Sequence, residues 1–166
     1  MRAVIFALAM AAGPALAQGA GWSFSALQGE GDRAAVGCDR EAVAEDFACL
    51  VVRCEDDFST GVHVWTSRAG GDVGRWEMTA DRENFTGEAV AADDAPYGAR
   101  FVESDAEWLE ERLRFGAFVY LRHVDDVDAE FRFIDLTGSL TTINTALAYC
   151  APRVPEATTP PLQSRP

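Results

Sequence analysis

The sequence contains no lysine: its 14 basic residues are all arginine, set against 27 aspartates and glutamates. That absence removes the Walker A phosphate loop, Schiff-base chemistry and every Ser-Lys dyad, because each needs an ammonium group that a guanidinium does not replace. Positive charge is scarce overall, and a formal net charge of −13 argues against a phosphate-backbone ligand, so no nucleic-acid partner is expected. Histidine is equally scarce. His63 and His123 are the only two, each inside a strand-like segment, and they read as rings on the polar face of a strand. No G-x-S-x-G elbow accompanies them, and Gly138-Ser139 lacks that frame, so a Ser-His-Asp hydrolase is not supported. No apolar run approaches the 18 or so residues a bilayer-spanning helix needs.

What the chain does have begins at its first residues. Positions 1–17, MRAVIFALAMAAGPALA, combine one basic residue, a short apolar run, a Gly-Pro break and an A-x-A exit. This pattern predicts a Sec-type signal peptide cleaved after Ala17 and a periplasmic or secreted protein. Residues 18–150 then read as one domain. The last 16 residues, 151–166, hold five prolines and no apolar period, and are expected to be a disordered tail.

Four cysteines follow the signal segment: Cys38, Cys49, Cys54 and Cys150. An even number in an exported chain points to two disulfides, whereas the spacings match neither C-x2-C zinc pairs nor a C-x-x-C redox motif. Three connectivities are possible, and strand parity selects one. In a strand over 47–54, Cys49, Val51 and Arg53 share one face, and Leu50, Val52 and Cys54 the other. Arg53 marks its face as the wetter one. Cys54 then points into the core, within reach of a C-terminal helix that ends at Cys150, while Cys49 stands beside the strand carrying Cys38. The predicted bridges are Cys38–Cys49 and Cys54–Cys150.

Short alternating segments separated by Gly, Asp and Ser predict strands over 22–27, 33–38, 47–54, 61–66, 75–79 and 97–102. The first half reads as an antiparallel meander, with a turn over 29–32 and a hairpin turn at Ala69-Gly70-Gly71-Asp72. The acidic stretch 81–94, which includes Asp93-Asp94, is weakly patterned and reads as a short strand plus loop. At Ser104-Asp105-Ala106-Glu107 the period changes, and a capping box opens a helix to Arg114, with Trp108, Leu109 and Leu113 as its stripe and Gly116 as its stop. Strands over 118–122 and 130–136 flank the acidic turn Asp125-Asp126-Val127-Asp128. A last helix is capped by Ser139, with Leu140, Ile143, Leu147 and Cys150 on its core side. The expected fold is α+β: a curved antiparallel sheet or small sandwich of seven to nine strands with two short helices, stapled by disulfides.

The order of helix, Gly, strand, acidic turn and strand, followed by Leu136-Thr137-Gly138-Ser139-Leu140 entering the final helix, resembles the small exported bacterial proteins of the invasion-associated locus B type. The resemblance covers residues 104–148. It implies a periplasmic or secreted β-rich domain without an established catalytic site, and it carries over no functional residues.

Three features bear on ligands. Alternating Asp126, Asp128 and Glu130 offer hard oxygens to Ca²⁺, although the EF-hand glycine and distal glutamate are missing. Trp65 and Trp76 flank the Gly70-Gly71 turn and are candidates to pair across the hairpin as a stacking surface for a sugar or peptide. With 27 acids, carboxylate pairs of glycosidase type arise by chance and carry little information. The remaining acids read as solvated loops, and their excess suggests a basic protein partner. The expectation is therefore an exported, non-enzymatic interaction domain, with a Ca²⁺ site or a carboxylate-dependent glycan hydrolase as alternatives and no other cofactor.

Overall fold

The computed structural model describes residues 21–25, 33–92 and 96–151. The predicted signal segment, the turn over 29–32, Asp93-Asp94 and the tail from residue 152 lie outside them. Nine strands and two helices follow in order: β1 (Gly21–Ser25), β2 (Ala34–Cys38), β3 (Ala48–Cys54), β4 (Thr60–Thr66), β5 (Gly74–Ala80), β6 (Glu83–Ala91), β7 (Ala99–Phe101), α1 (Glu103–Phe115), β8 (Phe118–His123), β9 (Arg132–Asp135) and α2 (Ser139–Leu147). All nine strands form one antiparallel sheet in the order β1-β2-β3-β4-β7-β6-β5-β8-β9. The fold is α+β and mostly β.

The meander expected for the first half ends at β4. The next strand in sequence, β5, pairs with β6 and β8, and β7 returns to pair with β4. The glycine turn after β4 is therefore not a hairpin: Gly71 N–H donates to Arg68 O in a local turn, and the strands on either side part company. The stretch read as a short strand plus loop contains β6, a nine-residue strand. Its apolar alternation is poor because only Gly87 and Ala89 are buried on it, and small residues contribute little to a hydrophobic pattern.

The sheet curls until its ends approach. Arg40 N–H, just after β2, donates to Phe133 O on β9 at 3.0 Å, and the Trp22 indole N–H on β1 donates to Asp135 O at 2.9 Å. On the inner face, Leu50, Val52, Val62, Val64, Met78, Phe101, Leu121 and Ile134 pack against Ala106, Leu109 and Leu113 of α1 and Ile143 and Ala146 of α2. Each large side chain so buried contributes about 1.5–3 kcal/mol. A smaller cluster covers the other face of β2 and β3: Ala34, Val36, Cys38, Cys49, Val51 and Tyr97, with Phe47 and Trp65 packed around them. Both strands are thus covered on both faces, which explains the near-continuous apolar run of β3.

Both predicted disulfides are present, Cys38–Cys49 and Cys54–Cys150. The parity argument gave the right pairing, but Arg53 does not mark a wet face; it is 6% exposed. Its charge is held by Glu55, with Nη1 3.0 Å from Oε2.

Both helix starts differ from expectation. α1 begins at Glu103, Val102 is its N-cap, and no side chain caps it. Asp105 turns instead to β6, where it accepts the Glu88 N–H at 2.8 Å. Trp108 is half-buried, stacked on Phe85 at 4.3 Å, and Ala106 takes its place in the buried stripe with Leu109 and Leu113. At α2 the cap is Gly138, with φ 87°, a left-handed conformation that suits glycine, and Ser139 is the first helical residue, buried. The buried stripe is Ser139, Ile143 and Ala146, with Leu147 packed partly buried against the same core; Leu140, expected on that side, is 41% exposed.

Candidate binding site at the mouth of the sheet

Two loops meet at one end of the curled sheet. The β2–β3 loop, residues 39–47, is shaped by Asp39, whose buried carboxylate accepts the Glu41 N–H at 3.0 Å and the Ala48 N–H at 2.6 Å. A short bridge between Val43 and Asp46 tightens its tip. The β8–β9 loop, residues 124–131, is pinned by Arg122 Nη1, which donates to Val127 O at 2.9 Å. Between the loops lies a cavity of about 280 Å³, with Ala48, Thr66, Trp76, Leu121 and His123 among its lining.

Charge is arranged asymmetrically around this mouth. Glu41, Glu45, Asp46, Asp125, Asp128 and Glu130 are exposed on the two loops. Arg40 on the β2–β3 loop is exposed over the Phe133 ring, whereas Arg68, Arg122 and Arg132 are paired with carboxylates of the protein. Arg68 clamps Asp126 with Nε on Oδ2 at 2.6 Å and Nη2 on Oδ1 at 3.2 Å, so that the pair bridges the β4–β5 turn and the β8–β9 loop. This hydrogen bond holds the Asp126 carboxyl below its ordinary range and raises Arg68 correspondingly. Arg122 Nη2 pairs with Glu77 Oε2 at 2.6 Å, and Arg132 pairs with Asp46. The outermost surface is left acidic.

Beneath the rim the floor is closely hydrogen-bonded. Asp72 accepts from Thr66 Oγ1 at 2.5 Å and from Thr66 N–H at 3.2 Å, joining the end of β4 to the following turn. Burial pushes the Asp72 carboxyl above its usual range, against the opposing pull of Thr66 and Arg68. Trp76 N–H donates to Asp72 O at 2.9 Å, and the His123 ring stands edge-on to the indole at 5.1 Å. His123 Nε2 lies 3.2 Å from Val73 O while its Nδ1 accepts the Asp125 N–H at 3.2 Å. Both nitrogens are engaged by backbone groups, so neither is presented to a substrate in this arrangement.

His123 is thus not on a polar strand face, and neither is His63, which is completely buried. His63 Nε2 is 2.7 Å from Glu55 Oε1, in a cluster completed by Arg53 and by Arg100, whose Nε is 3.6 Å from the same oxygen. Burial alone would raise the Glu55 carboxyl, but the hydrogen bond and charge of His63, with those of Arg53 and Arg100, hold it below its ordinary value.

Of the residues singled out in the sequence, Asp126, Glu130 and Trp76 line the mouth cavity. Trp76 is only 3% exposed, so it forms floor and not a stacking platform. Trp65 lies elsewhere, half-buried between Phe47 at 5.0 Å and Tyr97 at 5.5 Å. The two tryptophans cannot pair across a hairpin because β4 and β5 are not neighbours. Asp126, Asp128 and Glu130 are not gathered into a donor set: Asp126 spends both oxygens on Arg68, and among the described residues no three His, Cys, Asp or Glu side chains are grouped to hold an ion. The cysteines serve as structural bridges. Glu41, Glu45 and Asp46 were legible only as a charged loop, and Arg68 carried no sequence signal, since its partner lies 58 residues away.

The geometry therefore defines a disulfide-bonded β domain with an acid-rimmed mouth. Its disulfides fit an oxidising, exported compartment, and no helix among the described residues is long and apolar enough to cross a membrane. No protein-family model, curated protein or solved structure matches the chain.

Proposed function

We propose that this is an exported, non-enzymatic interaction domain that docks a basic segment of a protein partner at its mouth. The observation that carries the reading is the double acidic rim: Glu41, Glu45, Asp125, Asp128 and Glu130 are exposed on two loops against one exposed arginine, Arg40, while Arg68, Arg122 and Arg132 are paired with Asp126, Glu77 and Asp46. A surface of one sign steers an oppositely charged partner and selects against wrong ones. The cavity below gives an incoming side chain an apolar wall at Leu121 and Ala48. The commitment of both His123 nitrogens to backbone supports a binding role over acid–base catalysis. The resemblance of residues 104–148 to the invasion-associated locus B type points the same way, toward an exported domain without a catalytic set, retained in the periplasm or secreted.

The test is a binding assay on residues 18–166 against immobilised cationic proteins at low and high salt. The wild type is compared with a quadruple variant, Glu45→Gln, Asp125→Asn, Asp128→Asn and Glu130→Gln. The expected result is binding at low salt that falls steeply as salt is added and is weakened at least about tenfold in the variant. Absence of binding to any cationic protein at low salt, or equal binding by the folded variant, overturns the reading.

A further inference from the structure

A second surface lies on the outer face of the sheet, next to the mouth and sharing with it only the Arg122–Glu77 pair and Phe131 at the end of the β8–β9 loop. Strand register sets two rows of side chains across β9, β8, β5 and β6. One is Phe133, Tyr120, Thr79 and Asn84; the other is Arg122, Glu77 and Thr86, with Phe131 stacked on Arg122. At the strand spacing of a sheet, the four-residue row extends about 14 Å. Tyr120 is 38% exposed and forms an aromatic group with Phe118 and Phe133, with Tyr120 to Phe133 5.0 Å and Phe118 to Phe133 5.9 Å, while Phe131, 41% exposed, lies beside them against Arg122. Beside the rings is a groove of about 390 Å³ lined by Glu77, Thr79, Asn84, Thr86 and Phe131.

The polar groups along this groove are neutral or neutralised. Arg122 and Glu77 cancel each other at 2.6 Å. Thr79 Oγ1 donates to Asn84 Oδ1 at 2.8 Å, which orients the Asn84 amide, and both Asn84 and Thr86 are exposed. An uncharged strip beside exposed rings, on a protein of net charge −13, is complementary to an uncharged ligand rich in hydroxyls. A pyranose ring has that chemistry. Its C–H face meets the negative face of an aromatic ring, and its hydroxyls pair with amide, hydroxyl and carboxylate groups at the edge.

We infer that the outer face of β6, β5, β8 and β9 binds a neutral polysaccharide, with Tyr120 and Phe131 as the stacking surface and Asn84, Thr86 and Glu77 as hydroxyl partners. A protein partner at this face is the competing occupant, and the experiment separates them. The probe is affinity electrophoresis in native gels cast with hydroxyethylcellulose, xylan, laminarin or dextran. The strongly anionic protein runs well in such gels, and the uncharged polymers introduce no ion exchange.

Retardation by at least one polymer is expected, weakened about tenfold or more by Tyr120→Ala and by Asn84→Ala. Both positions are exposed, so the variants are expected to retain the wild-type melting midpoint, and should one lose it the other decides. The quadruple mouth variant is expected to be retarded like the wild type, which keeps this result independent of the mouth. No retardation in any of the four gels overturns the inference. So does retardation that survives in both face variants, or that disappears with the mouth carboxylates.

Discussion

Replacing Glu55 by alanine removes the one acceptor on which His63, Arg53 and Arg100 converge, at 2.7, 3.0 and 3.6 Å. The three donors differ in what they lose. The side chain of Arg53 is 8% exposed and that of His63 fully buried, whereas the Arg100 side chain is 36% exposed and recovers much of its solvation from water. The buried His63 and Arg53 contacts therefore dominate, and breaking a buried pair from one side costs about 3 to 5 kcal/mol. At about 2 to 4 °C per kcal/mol for a domain of this size, the melting midpoint falls by about 6 to 20 °C at neutral pH. Glu55→Gln, which keeps an acceptor for His63 but not the charge, should lose less.

The pH dependence follows from the sign of the shift. Because the folded Glu55 carboxyl lies below its ordinary value of 4.5, its contribution is complete above that value and is lost as pH falls through the folded value. Chemical denaturation of the wild type and both variants, across a pH series from neutral to about 3, measures the difference. A loss below about 1 kcal/mol at neutral pH would refute the reasoning. A gap between wild type and variants that persists undiminished to the acid end would refute the linkage.

Three further outcomes follow from the fold and the mouth. Replacing Cys54 and Cys150 by alanine should cost about 2 kcal/mol more than replacing Cys38 and Cys49, because the bridges span sequence separations of 96 and 11 and loop-closure entropy grows with loop length; urea unfolding of the two double variants makes the comparison. Ile143→Ala should cost about 2 to 5 kcal/mol and Leu140→Ala under about 1, since the first side chain is fully buried and the second exposed; equal losses in thermal unfolding would mean that α2 is rotated from the orientation described. Adding Ca²⁺ should leave the melting midpoint unchanged, because the Asp126 oxygens are held by Arg68; a rise on titration would place a cation site at Asp126, Asp128 and Glu130.

Local signals carried much of the architecture. Strand parity at 49–54 identified both disulfides, since a two-residue period fixes which cysteine faces the helices. Tertiary context supplied the rest. Arg53 looked like a marker of solvent because nothing nearby in sequence announces that Glu55 curls back onto it, with Gly61 leaving the space that the carboxylate occupies. The Gly70-Gly71 turn looked like a hairpin because turn chemistry is local, whereas the pairing of β4 with β7 rather than β5 is set by burial of Val62, Val64, Ala99 and Phe101 in one core. Gly138 displaced Ser139 as the cap of α2 because the entry needs a left-handed residue, a requirement of chain direction and not of composition. Half the mouth was visible in the acidic run 125–130, but its partner loop and the Arg68 clamp depend on contacts between distant segments.

The most direct test of the acid-rimmed mouth is to follow backbone amide NMR signals of residues 18–166 during titration with a short arginine-rich peptide at low salt. The account predicts saturable shifts confined to residues 39–47 and 124–131, with the Arg68 signals following them and all shifts suppressed by salt. Shifts scattered over the surface without saturation, or centred away from these two loops, would contradict it.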